Sequence, residues 1–250
     1  MDKSRVYYTN FHTTFSENLP QKLKRLLKTA GMEQIDFQNK YAAVKIHFGE
    51  LGNLSFLRPN YAKVVADLIR ENGGKPFLTD CNTLYVGSRK NALDHLDTAY
   101  ENGFSPFSTG CHVLIADGLK GTDEALVPID GDYIKEAKIG RAIMDADIFI
   151  SLTHFKGHES TGFGGTLKNI GMGCGSRAGK MEMHNAGKPH VAQETCVAAT
   201  PVRETVPTEP SPSRRKRPPL TTTAVSAAAG VSASVRWMPW RQTATSPTTS

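Results

Sequence analysis

The chain has 250 residues, 39% hydrophobic and 22% charged, with a formal net charge of +6. Seven Lys/Arg and two Glu beyond residue 197 carry +5 of that charge. Residues 1–197 are therefore nearly neutral and give no nucleic-acid signal, and no apolar run approaches the roughly 20 residues of a membrane span.

Val6–Thr9 reads as a short strand. Ser16 can cap a helix whose apolar stripe is Leu19, Leu23, Leu26 and Leu27, stopping at Gly31. Tyr41–Ile46 reads as a strand. Pro59 starts a helix that runs to Glu71 with Val64, Val65, Leu68 and Ile69 on one face, and Gly73-Gly74 stop it. Phe77–Thr79 is the next strand, Asn91–Asn102 the next helix and Val113–Ala116 another strand. Ile139–Met144 reads as helical. Asp147–Leu152 is a near-continuous apolar strand of the kind buried in a parallel sheet. Strands alternating with helices predict an α/β fold over residues 1–197, a mostly parallel sheet with flanking helices.

The polar residues His47, Glu50, Asp80, Asn82, Asp117 and His154 all follow predicted strand ends. Ligands of open α/β sheets bind just outside those ends. Taken singly, Asp80, Asn82 and Asp117 read better as helix caps or turn formers. The densest stretch is Thr153–Asn169. It joins His154, Lys156 and His158 to a glycine-rich segment (Gly162, Gly164, Gly165) and a helix start holding Lys168. Glycines let backbone N–H groups approach an anion, and a helix N-terminus favours negative charge. The histidines could move protons or bind metal, although Gly157 argues against a helix that would put both on one face. The stretch contains neither Gly-Lys-Ser/Thr nor G-x-G-x-x-G. The expected ligand is a small anion; the bland alternative is a structural loop. Cys174 reads as a packing residue or a reactive thiol. With no secretion signal before Val6, Cys81, Cys111, Cys174 and Cys196 are expected as thiols in a cytoplasmic protein.

Residues 198–250 differ in kind. They lack Ile, Phe, Tyr, Asp and Asn and hold eight of the 14 prolines. Such a segment cannot bury enough apolar surface to offset chain entropy, so it is expected to be a disordered tail. Its spacing suggests a slipped reading frame. If one nucleotide is missing near the Val197 codon, every lost Cys codon (TGC or TGT) reads as Ala or Val. Cys196 followed by Ala199, Val202 and Val206 then gives C-x2-C-x2-C-x3-C. Val225, Ala228, Val231 and Val235 repeat that spacing. This is the double cysteine run of a ferredoxin with two four-iron clusters. A genuine low-complexity tail would have no such period. Arg214–Arg217 is then a mistranslated run and not a localisation patch.

Several segments resemble the domain of unknown function 362 family, in the subgroup of uncharacterized iron–sulfur centre proteins. They are His47-Phe-Gly-Glu50, Thr79–Tyr85, Ile115–Gly118, His154-Phe-Lys-Gly-His158, Gly162-Phe-Gly-Gly165, Lys168-Asn169 and Cys174–Lys180. The resemblance covers about residues 4–197. It implies a ferredoxin-like module with two 4Fe-4S clusters after this point, followed by more α/β sequence. Cys196 is the expected first cluster ligand, and one thiolate cannot hold a cluster that needs four. Three functional readings stay open. The intact parent is an iron–sulfur redox protein with a redox partner protein, or a non-redox ligand-binding or transferase-like protein with structural clusters. The third is that the chain as it stands is a frameshift product without function.

Overall fold

A computed structural model of the protein describes residues 4–159 and 161–184. The first helix, α1 (Leu19–Thr29), starts from a reciprocal cap. The Asn18 side chain accepts from the Gln21 N–H (3.0 Å) while the Gln21 side chain accepts from the Asn18 N–H (2.9 Å). The cap is thus Asn18 and not Ser16, because the residue three positions on must reach back. A short 3₁₀ turn, Met32–Gln34, leads to β1 (Tyr41–Lys45), α2 (Pro59–Glu71), β2 (Lys75–Asp80) and α3 (Ala92–Glu101). Then come α4 (Pro106–Thr109), β3 (His112–Ile115), β4 (Glu124–Pro128), β5 (Glu136–Gly140), α5 (Arg141–Met144) and β6 (Ile148–Ser151). The last elements are β7 (Lys156–His158), β8 (Gly162–Gly164), α6 (Thr166–Gly171) and α7 (Arg177–His184).

Four strands form one parallel sheet in the order β3-β2-β1-β6, so the α/β expectation holds. Val44 pairs with Leu78 on one side and Ile150 on the other. Alternation sends Ala42, Val44 and Ile46 into the main core with Val65, Leu68 and Ile69 of α2 and with Phe48 and Phe104. A second, smaller core of Cys81, Ala116, Ile143 and Cys174 packs with Phe149 and Ile170.

Three further local expectations fail. Val6–Thr9 is no strand; Val6 and Tyr8 are exposed, and β propensity without a neighbouring strand does not suffice. Ile139-Gly140 belong to β5, an antiparallel partner of β4, and the helix begins only at Arg141. The cross-strand pairs Ala125–Ile139 and Glu124–Gly140 override the helical reading. The apolar β6 is parallel as expected, but among the described residues it is a sheet edge and all four of its residues are half-buried.

Candidate functional site

The sheet runs outward from β1 through β2 to β3 and then resumes on the other side of β1 at β6. A crevice opens at such a switch point, outside the carboxyl ends of β1 and β6. There β1 ends in Lys45, a buried lysine in an otherwise apolar strand. Its Nζ lies 2.9 Å from Asp80 Oδ1 and donates to Asn169 Oδ1 at 2.8 Å. Asp80 is also buried, accepts from the Cys81 N–H and faces Arg89 Nη1 at 3.3 Å. Arg89 continues outward and donates through Nε to Glu50 at 3.0 Å.

Two cations and two carboxylates thus neutralise one another in a line from the sheet to the rim. Burial works against charge on Asp80, but Lys45, with His95 and Arg89, outweighs it and holds the carboxyl well below the ordinary range. Burial likewise opposes charge on Glu50, and the Arg89 hydrogen bond and charge bring its pKa down. His95 is wholly buried 3.8 Å from Asp80, and neither ring nitrogen has a hydrogen-bond partner among the described residues. Burial drives its pKa down to about 3, so the ring is neutral at ordinary pH. His47 accepts the Gly49 N–H on Nδ1 at 2.9 Å. Burial of its ring, then the charge of Arg89, pulls it down to about 4, while the residue keeps an open edge to solvent.

Asn82 and Asp117 do a different job. Asp117 Oδ1 accepts from both the backbone N–H and the side-chain Nδ2 of Asn82, each at 2.9 Å. The pair ties the end of β2 to the end of β3 and is buried. Here the cap-or-turn alternative describes the residues better than a rim role.

Asn169 fastens α6 across the switch point. Its Nδ2 donates to Ser151 Oγ at 2.9 Å and Thr153 Oγ1 at 3.0 Å. The chain then passes so close that a Cβ on Gly173 would lie 2.1 Å from Asn169 O and 2.7 Å from Lys45 Nζ. Glycine is the one residue that fits there.

The glycine-rich stretch is not a loop but a hairpin of β7 and β8, with His158 opposite Gly162 and Lys156 opposite Gly164. Strand alternation puts Lys156 and His158 on one face with those two glycines. Phe155 and Phe163 occupy the other face, stacked with ring centroids 5.6 Å apart. A Cβ on Gly164 would sit 3.7 Å from Lys168 Cδ and 3.8 Å from Lys156 Cγ, so the absent side chain leaves room for both lysines. Lys168 lies within α6, and its Nζ contacts His158 Nε2. Burial, then the charge of Lys156, lowers the Lys168 pKa, with Glu159 opposing. His184 of α7 stands edge-on to Tyr85 at 5.9 Å, and its pKa is lowered by burial and by Lys168.

Several expected site residues therefore gather at one end of the sheet. Lys156, His158 and Lys168 cluster through their side chains and not through a glycine cradle. Gly162 makes the hairpin turn at φ +77°, and Gly164 and Gly165 are buried beside it. His154 lies half-buried in the connection before β7. His47 and Glu50 stand at the rim, and Asp80 lies beneath it. Sequence reading missed Lys45, Arg89 and His95, although a lysine inside the Tyr41–Ile46 apolar run was a usable signal.

Cys196 lies outside the described residues. Cys81, Cys111 and Cys174 are buried thiols without disulfides. Burial pushes all three up, Cys174 to about 11. Among the described residues no three His, Cys, Asp or Glu side chains could share a metal ion, so these residues do not fit a four-thiolate cluster. No described helix is long and apolar enough to cross a membrane.

The family model described as Domain of unknown function (DUF362) matches residues 42–245. No curated protein matches the chain. Among solved structures, the lactate racemase apoprotein from Thermoanaerobacterium thermosaccharolyticum is similar with a TM-score of 0.44 and 13% identity. That likeness covers 66% of this chain, which spans 35% of the racemase's length.

Proposed function

We propose, for a chain that belongs to the domain of unknown function 362 family, that the α/β domain binds a small anionic ligand, a carboxylate or a phosphate. The ligand sits against Lys156, His158 and Lys168. The observation that supports this is the single hairpin face shared by Lys156 and His158, opened by Gly162 and Gly164 and flanked by Lys168. Two lysines, Lys156 exposed and Lys168 half-buried, converging beside His158 favour negative charge. We extend the site to His47, Glu50 and His154, which follow the ends of β1 and β6 in the chain.

Thermal unfolding with inorganic phosphate or pyruvate at low salt tests the reading. A ligand at one hundred times its Kd adds about 2.7 kcal/mol. For a domain of this size that raises Tm by roughly 5–10 °C. The shift should shrink in Lys156→Gln and Lys168→Gln. An unchanged Tm with both anions refutes the site.

A redox role for an in-frame parent is favoured by the twice-repeated cysteine spacing from Cys196 to Val235. In that parent Cys196 and the seven restored cysteines would hold two 4Fe-4S clusters, which would supply one-electron chemistry, with a redox partner protein as donor or acceptor. The present chain keeps only Cys196 of the eight ligands and does not load clusters. Resequencing codons 194–240 and reconstituting the frame-restored protein tests this. If no cluster absorbance appears, the redox reading falls. If clusters load but their reduction changes nothing at the anion site, the non-redox ligand-binding reading replaces it.

A further inference from the structure

Beside the lysine pair two aromatic rings face solvent instead of the core. Tyr85 is 66% exposed, and His184, also exposed, stands edge-on to it with ring centroids 5.9 Å apart. Tyr85 lies in the loop between β2 and α3, and His184 is the last residue of α7. His184 also lies within the field of the Lys168 ammonium. Partial burial, then that charge, lowers its pKa, so the ring is neutral above about pH 7 and leaves a negative ligand group to the lysines.

The loop that carries Tyr85 is anchored at both ends. Asn82 is tied to Asp117, and the Thr83 N–H donates to Arg89 O at 2.9 Å. Arg89 itself belongs to the buried charge line. Arg177, at the start of α7, donates to Lys90 O. One helix thus fastens the base of the loop through Arg177 and meets Tyr85 through His184. A tyrosine held this way offers a large contact surface at little entropy cost. Two rings are too small an area for a protein partner, which needs about 800 Å² per side, but they match one ring of a small ligand.

Building on the anion site above, we propose that its ligand carries a planar aromatic ring, which packs against Tyr85 and His184 while its phosphate or carboxylate meets Lys156 and Lys168. After burial, the charge of Lys156 lowers the Lys168 pKa, with Glu159 offsetting part of the effect. The two ammonium groups therefore repel, and a negative group shared between them relieves the repulsion. A lysine ammonium is a point charge that reads no shape. Discrimination among anions falls to the aromatic pair. Stacking a ring on an aromatic side chain raises affinity roughly five- to hundredfold.

Calorimetric titration of the full chain at low salt, just above neutral pH, tests this with four probes. They are inorganic phosphate, cyclohexyl phosphate, phenyl phosphate and adenosine monophosphate. The last two differ in the link between ring and anion, and at least one should bind roughly five- to hundredfold more tightly than inorganic or cyclohexyl phosphate. Tyr85→Leu keeps apolar area but no ring face, and at so exposed a position it leaves the fold intact. It should abolish the gain. A gain that survives Tyr85→Leu, or an equal gain from cyclohexyl phosphate, overturns the aromatic assignment. So does a gain below about fivefold from both aromatic probes while inorganic phosphate still binds, an outcome that leaves the anion site standing. If none of the four binds, the anion site itself falls and the ring with it.

Discussion

Replacing Lys45 by Met tests whether the buried charge line holds the carboxyl end of the sheet together. Met nearly matches lysine in volume and keeps the apolar stem, so packing changes little. The loss is electrostatic: Asp80, 3% exposed, keeps only Arg89 at 3.3 Å, and Asn169 Oδ1 loses its donor. Removing one member of a buried ion pair costs about 3–5 kcal/mol, and an unsatisfied buried acceptor about 1–3 kcal/mol. Arg89 still compensates Asp80, so the expected loss is near the lower end, about 3 kcal/mol. At roughly 2–4 °C per kcal/mol for a domain of this size, Tm falls by about 6–12 °C. Urea unfolding of wild type, Lys45→Met, Asp80→Asn and the double variant measures both the loss and the coupling. A single-variant loss below about 1 kcal/mol, or no coupling with Asp80, would refute the claim that this pair organises the site.

Acid should weaken the fold in two stages. His47 and His95, depressed to about 4 and about 3, take up protons in the unfolded chain near pH 6.5 but not in the folded one, so stability declines as pH falls from there. Asp80, held below the carboxylate range, adds a further loss below about pH 4. His95→Leu should flatten the first stage; an unchanged pH profile would contradict the neutral buried ring. Gly173→Ala should destabilise by about 1–3 kcal/mol, because its Cβ meets Asn169 O and Lys45 Nζ. Gly157→Ala, with nothing within 4 Å, should change stability by less than about 0.5 kcal/mol, and chemical denaturation of both separates the cases. An NMR titration should find His47 unprotonated from pH 8 down to about 5; a midpoint near 6.5 would refute the burial of its ring, reinforced by the Arg89 charge.

Local pattern alone was enough for much of this protein. The apolar stripe of α2, Pro59 at its start and the runs at Tyr41 and Val113 each specify their element from a few neighbouring residues. Their alternation already implied a parallel sheet, and with it a site at the carboxyl ends. The chemistry-bearing residues Lys156, His158 and Lys168 were visible as a dense polar stretch. What the sequence could not show depended on partners far along the chain. Ile139 became a strand because Ala125 lies opposite it, and β6 became an edge because nothing described pairs beyond it. Asp80 read as a cap, a turn former or one of the strand-end site residues, and the structure makes it the buried counter-charge of Lys45 and Arg89. The glycine run read as an anion cradle and folded into a hairpin whose alternation aims side chains instead. Element type follows from short-range periodicity, but which charge meets which is set by strand order and register. Those are properties of contacts tens to more than a hundred residues apart, as between Lys45 and Asn169.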